Sequence, residues 1–287
     1  MAKTNRSAED KAEMTFFEHI DALRPHLVRG ASALLIISIA AFLLKTFIID
    51  YFLFGPAQPD FPTNRLLTWL GQLIGDSSYE AGAVNFNIIN TKLAGQFSLH
   101  LTVSLVAGLI VTVPYLLWEL WRFIKPGLTY YERRNTRMFV FYVSLCFFVG
   151  VAFGYFIIAP LAVNFFTTWE ASATIVNMID VGSYLRSVLS TSLGCGLIFQ
   201  LPVLMYFLTR MGIVTAAFLR KYRKHAIVLL AVLSAAITPP DIMSMFLVIL
   251  PLVLLYELSI KIAAKVEKKK QEEEAAFYGD LPTFPEP

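Results

Sequence analysis

The stretch FIKPGLTYYERR, residues 123–134, carries Lys125, Arg133 and Arg134 and one acid, Glu132. It lies between two apolar blocks, about Leu101–Trp121 and about Met138–Ala159. Each block meets the ~20 residues a helix needs to cross a hydrocarbon core of ~30 Å. A basic loop between two such blocks reads as a short connection held on the cytoplasmic side of a membrane. The lone acid beside two arginines has two readings. One is a salt bridge within the loop to Arg133, Arg134 or Arg137. The other is a contact for something cationic that visits the loop.

The rest of the chain agrees with a membrane setting. Of its 287 residues, 56% are hydrophobic and 16% charged, and the mean hydropathy is +0.61. Ordinary soluble domains carry about 25% charged residues. The net charge of +3 is too small to point to nucleic acid. Cys146 and Cys195 both sit inside apolar blocks and read as small buried hydrophobes, which argues against a disulfide framework or a metal site. The N-terminus does not read as a cleavable signal peptide, because a long mixed stretch precedes the first apolar run.

Six apolar segments emerge: about Arg29–Ile49, Leu101–Trp121, Met138–Ala159, Ser187–Leu208, Ala226–Thr238 and Ile242–Lys261. The expected fold is therefore an all-α polytopic membrane protein with six transmembrane helices. The fifth and sixth spans are short and form a hairpin at ITPPDI, residues 237–242, because two prolines in series end a helix. Twenty of the 24 basic residues fall before the first span, between the second and third, between the fourth and fifth, or after the sixth. Only Lys45, Arg65, Lys92 and Arg186 fall on the other side. Both termini are thus expected in the cytoplasm. Residues 1–262 read as one integral membrane domain, with an amphipathic lead-in at 15–27 and an outer loop at 50–96. Residues 263–287 read as a charged, disordered tail.

Several features stand out inside this frame. Pro114, Pro160, Pro202 and Pro251 interrupt four spans and predict bent helices. TFFEHIDALRPHL, residues 15–27, predicts an interfacial helix, with Thr15 and Glu18 at capping-box spacing. RLLTWLGQLIG, residues 65–75, has helical spacing and reads either as a helix on the outer membrane face or as one packed on its own domain. Gln200 in the fourth span needs a polar partner, which a neighbouring helix could supply. Glu119 and Glu257 lie at the inner ends of the second and sixth spans, and Glu119 reads as facing the headgroup region near Arg122.

In this order, the motifs resemble the TatC family, the polytopic core subunit of the twin-arginine (Sec-independent) protein translocase. HIDALRPHL (19–27), PYLLWELWRFIKPGLTYYERR (114–134), GVAFGYFIIAPLA (150–162), FQLPV (199–203) and TPPD (238–241) carry the likeness. The resemblance implies a signal-peptide receptor that exports folded proteins across the bacterial cytoplasmic membrane using the proton-motive force. It implies no enzyme activity and no cofactor. The implied partners are twin-arginine signal peptides, single-span TatA- and TatB-type subunits, further copies of the chain and membrane lipid. Signal binding maps onto Glu132, with Pro126, Leu128 and Arg133 around it, and onto Glu18, His19, Asp21 and Arg24. Partner contact maps onto Gln200, Pro202 and Met205. Structural roles map onto Tyr155, Pro160, Pro239, Pro240 and Asp241.

Two positions depart from the family pattern. Ala22 stands where the N-terminal motif has glutamate, so Asp21 or Glu18 is the candidate second acid. Gln200 stands where glutamate is common, and an amide has no proton to exchange there. A proton- or ion-coupled small-solute transporter is the rival reading. It predicts two repeated halves with interrupted helices, and no such repeat is visible.

Overall fold

The computed structural model describes residues 16–74, 88–124, 136–169, 172, 174, 178–237 and 242–279. Helix α1 (Phe16–Leu43) is followed by a π-helical segment, Phe47–Leu53, and a 3-10 turn, Gly55–Ala57. Helix α2 (Pro62–Ile74), strand β1 (Ile88–Ile89) and helix α3 (Gly95–Ile124) come next. Helix α4 (Thr136–Phe153) runs through a π-helical turn, Gly154–Ile158, into α5 (Ala159–Thr168). Strand β2 (Ile179–Asp180) leads into α6 (Val181–Ile198), α7 (Leu201–Arg210), α8 (Ala216–Lys221), α9 (Arg223–Ile237) and α10 (Ile242–Gly279). The chain divides into two compact units, residues 1–45 with 104–144 and residues 46–103 with 145–287.

Among the described residues, four helical stretches are long and apolar enough to cross a membrane. They are Leu23–Leu43, Gly95–Phe123, Val140–Thr168 and Val181–Arg210. They correspond to the first four expected spans, with shifted ends. The first stops at Leu43 rather than Ile49, where the π-helical segment takes over. The lead-in expected at 15–27 is no separate helix, because α1 runs unbroken through Pro25. The prolines act unequally. Pro160 and Pro202 stand in the first turn of α5 and α7, just after a π-helical turn and a turn at Phe199–Gln200. Pro202, at a helix start, forfeits no helical hydrogen bond, whereas Pro160 lies in a continuous helix and the Phe156 carbonyl four residues back accepts from the Thr63 hydroxyl instead. Pro114 and Pro251 lie inside continuous helices. Helix α9 has only 15 residues, matching the short fifth span. The expected turn residues Pro239, Pro240 and Asp241 lie outside the described residues.

The charged tail from residue 263 is not irregular as far as Gly279. Helix α10 continues through it for 38 residues in all. The reason is a buried stripe at helical spacing, Val248, Leu252, Tyr256, Ile260, Ala263 and Val266. The lysines between these positions raise the charge of the window without interrupting the stripe. Glu267 then accepts a hydrogen bond from the Ala216 N–H at 3.2 Å, at the start of α8.

The second unit packs around Ile158, Cys195, Ile198, Leu219, Leu230, Val248 and Leu252. Its tightest contact runs through glycines. A Cβ on Gly154 would lie 2.7 Å from the Thr191 carbonyl oxygen and 2.9 Å from the Ser192 Cα. A Cβ on Gly150 would lie 2.6 Å from the Cys195 carbonyl oxygen. Gly150 and Gly154 are one helical turn apart, so α4 and its π-helical turn approach the α6 backbone along one line. This G-x-x-x-G spacing was present in GVAFG and carried a packing message the motif reading overlooked.

Polar groups fasten the 46–103 segment to the same unit. Buried Asn64 donates to the carbonyls of Pro56 (3.1 Å) and Gln58 (2.8 Å), and accepts from Asn164 Nδ2 at 2.7 Å. Tyr155 donates to the Phe52 carbonyl (2.6 Å) and Tyr184 to the Leu53 carbonyl (2.7 Å). Helix α2 keeps its apolar Leu66, Trp69 and Leu73 exposed. Strands β1 and β2 pair in parallel, Ile88 with Ile179 and Ile89 with Asp180. Asp180 caps α6 by accepting from the Gly182 N–H at 3.0 Å, and also accepts from the Thr91 hydroxyl at 3.0 Å.

Two outcomes test this packing. Gly154→Leu should lower the thermal unfolding midpoint in detergent by the equivalent of about 1–3 kcal/mol, since backbone cannot yield. Gly30→Ala, whose Cβ meets only the tip of Leu116 at 2.9 Å, should be milder. The Thr91 bond, with help from the main-chain N–H groups, holds the Asp180 carboxyl below its ordinary range. Its stabilisation is therefore complete above the ordinary carboxylate pKa and is lost as pH falls through the lowered one. Unfolding midpoints of wild type and Asp180→Asn should differ at neutral pH and converge as acidification protonates Asp180.

Candidate functional site

In the first unit, α1 and α3 meet through one buried carboxylate. Glu119 is 3% exposed, on the last turns of α3. His26 Nδ1 lies 2.5 Å from Glu119 Oε2, so Nδ1 carries the proton and donates it to the carboxylate. Arg29 Nη2 lies 3.4 Å from the same oxygen, and Arg122 Nη1 lies 3.3 Å from Oε1. Arg29 Nη2 is also 3.2 Å from His26 Nδ1. A nitrogen that donates to Glu119 cannot accept there, so Arg29 is held in the cluster by its ion pair with the carboxylate.

The sequence places these groups by helical spacing. His26 and Arg29 are three residues apart on α1, and Glu119 and Arg122 are three apart on α3, so each pair shares a face. Close approach higher up brings the faces together. A Cβ on Gly108 would lie 2.2 Å from Ser38 Oγ and 2.8 Å from the Ser38 Cα. Glu119 does not face the headgroup region as a free surface acid. It is buried, and two guanidiniums and an imidazole surround it. His26 was inside a quoted motif but drew no role, because a lone histidine gives no hint of its partner 93 positions away.

Beside the carboxylate, an apolar cavity of about 260 Å³ opens between the two helices. Leu27, Leu34, Leu116, Leu120 and Phe123 line it, with Ala31 at its wall. The His26 ring sits edge-on to Phe123 at 6.2 Å. Glu119 also lines it, and the two arginines paired with Glu119 are 44% and 49% exposed just outside the lining.

The other expected residues fall as follows. Glu18, His19 and Asp21 lie on the opening turns of α1, and Arg24 on α1 is exposed. Pro126, Leu128, Glu132 and Arg133 lie outside the described residues. Gln200 is not mid-helix but in the turn between α6 and α7, half-buried, with its main-chain N–H bonded to the Leu197 carbonyl at 3.0 Å. Pro202 is buried and Met205 packs on the core of the second unit. The exposed apolar residues around that turn are Leu197 and Leu204, 67% and 49% exposed, which the motif did not flag. Glu257 pairs with Arg223 at 2.7 Å. Among the described residues, no group of His, Cys, Asp and Glu gathers that could hold a metal ion.

Long apolar helices, closely packed through glycine, with charge concentrated at one helix junction, define a polytopic α-helical membrane protein. Its residues 18–251 match the family described as Sec-independent protein translocase protein (TatC). The chain belongs to this family, whose members are transport proteins. It is 40% identical to the TatC of Blattabacterium sp. subsp. Periplaneta americana (strain BPLAN), over 91% of this chain and 99% of that one. It is 33% identical to TatCy of Bacillus subtilis (strain 168), over 92% of this chain and 94% of that one. A crystal structure described as the twin arginine translocase receptor TatC superposes with a TM-score of 0.68 at 28% identity, covering 88% of this chain and 100% of that one. The small-solute transporter reading is set aside, because the family match assigns the chain elsewhere.

Removing Glu119 leaves four donors gathered around nothing, His26, Arg29, Arg122 and the Tyr115 hydroxyl that also bonds the carboxylate. Glu119→Ala should destabilise the protein by about 2–3 kcal/mol, less than for a fully buried pair because both arginines reach solvent. Arg122→Ala, which leaves Glu119 with His26 and Arg29, should cost less. Thermal unfolding of the two variants in detergent, side by side, measures the order.

Proposed function

We propose that this chain is the signal-peptide receptor and core subunit of a twin-arginine translocase in the bacterial cytoplasmic membrane. It recognises paired arginines at the cytoplasmic face and passes folded proteins outward on the proton-motive force. Six spans with both termini inside complete the topology. The reading is carried by the match over residues 18–251 to a family in which a solved relative is described as the twin arginine translocase receptor.

The chemistry fits. A guanidinium keeps its charge at any physiological pH and forms paired hydrogen bonds with a carboxylate, which lysine does less well. Glu132 supplies one carboxylate. Asp21 or Glu18 supplies the other in place of the glutamate that Ala22 lacks. Glu119 acts as a positioning residue for both. It ties α1 five residues past Asp21, about 7.5 Å along the helix, to the end of α3 from which the Glu132 loop departs. Glu119 itself is no receptor acid, since two arginines already occupy it. An exposed ion pair at the membrane surface gives only about 0–1 kcal/mol, so the apolar stretch of the signal contributes most of the affinity.

Single-span TatA- and TatB-type subunits and further copies of the chain complete the machine. The turn around Gln200, with Leu197 and Leu204 exposed, is the surface offered to them.

Site-specific crosslinking from position 132 tests the receptor. A twin-arginine signal peptide should crosslink, and its twin-lysine version should do so at least about tenfold less. Equal crosslinking would overturn the reading. Export of a twin-arginine reporter should fail in the Glu18→Ala/Asp21→Ala double variant. Full export there would remove both residues from the site. Gln200→Leu should weaken copurification of a single-span partner.

A further inference from the structure

The Glu119 junction leaves charge over. One carboxylate faces two guanidiniums, so the cluster beside the cavity is positive by one unit even with His26 neutral. Arg24 is exposed one to two turns earlier on α1, which adds to the same sign. Arg29 and Arg122 each commit one nitrogen to Glu119 and are close to half exposed, so each keeps N–H donors beyond that bond. Beside the Glu119 carboxylate that they flank, the cavity wall is apolar apart from His26 and runs along α1 from Leu23 to Leu34, about 16.5 Å of helix. A cationic cluster beside an apolar slot between two membrane helices combines two demands, an anion and a hydrocarbon chain, in one ligand.

We propose that this junction binds one anionic phospholipid, its phosphate between Arg29 and Arg122 and one acyl chain in the cavity along Leu34, Leu116 and Leu120. Basic pockets between transmembrane helices suit anionic headgroups, and each arginine near the surface strengthens such binding. Charge decides between this occupant and the apolar stretch of a cationic peptide. A peptide that carries arginines is repelled by Arg29 and Arg122, whereas a phosphate is attracted. The lipid then bridges α1 and α3 at the junction where Glu119 already joins them, and adds to the same fastening.

The full chain, purified in mild detergent, is mixed with equal amounts of phosphatidylglycerol and phosphatidylcholine of matched acyl chains. Retained lipid is counted by native mass spectrometry. Wild type should keep one phosphatidylglycerol in preference to phosphatidylcholine by about tenfold. Arg29→Gln/Arg122→Gln should bring the preference close to one. Ala31→Phe, which fills the cavity wall and leaves every charge in place, should lower phosphatidylglycerol retention by about tenfold. Equal retention of the two lipids by wild type would overturn the proposal, as would an unchanged preference in the double arginine variant or unchanged retention in Ala31→Phe. If the arginine variant does not fold, wild type and Ala31→Phe decide the matter. A crosslinker at position 31 that captures a signal peptide, undiminished by excess phosphatidylglycerol, would assign the cavity to the peptide and also overturn the proposal.

Discussion

A main-chain carbonyl released at the end of a helix and packed against a neighbouring element loses water as a partner. Three such carbonyls in this protein are met by tyrosine hydroxyls from other elements. The π-helical segment ends at Leu53, and the Phe52 and Leu53 carbonyls accept from Tyr155 and Tyr184. The six-residue α8 ends at Lys221, and the Leu219 carbonyl accepts from Tyr256 at 2.9 Å. Each tyrosine therefore fixes a break at one place and ties its own helix to that place. The interruptions are part of the architecture because their polar debris is bonded.

The glycine contacts make those bonds reachable. With Gly150 and Gly154 against Thr191–Cys195, the turn carrying Tyr155 lies directly on α6, which carries Tyr184. The same logic holds in the other unit, where Gly108 lets α3 meet the α1 backbone at Ser38. Close approach at Gly108 then brings the charged ends of both helices within bonding distance. A carboxylate with 3% exposure is tolerable there because His26, Tyr115, Arg29 and Arg122 converge on it. That fastening joins α1 to the last turns of α3, and in the proposed receptor it is a group that never needs to touch the signal.

Much of this was readable in the linear chain. Length and continuity of the apolar blocks marked the first four spans, and the polar, proline-rich ITPPDI marked a hairpin between two further arms. The dispersed motifs named the family. What misled was local composition. Lysines in the tail hid a buried stripe at Ala263 and Val266, because charge averaged over a window ignores which face of the helix it sits on. Gln200 looked like a mid-span amide because hydropathy does not register a turn, and Pro202 in the first turn of α7 was the only local sign of one. Glu119 looked like a surface acid because Arg122, its neighbour in sequence, was the only visible partner.

By itself, the sequence determined the setting and the kind of protein: long apolar helices, their basic flanks and the family. These follow from patterns that repeat within a single helix, which the order of residues records directly. Tertiary structure decided which groups meet. His26 with Glu119, Asn64 with Asn164, Tyr184 with the Leu53 carbonyl, and the Arg29–Arg122 cluster beside an apolar cavity join residues about 80 to 130 positions apart. Such pairs depend on how closely two helices approach. That distance is set by which glycine happens to face which backbone, a relation no single segment contains.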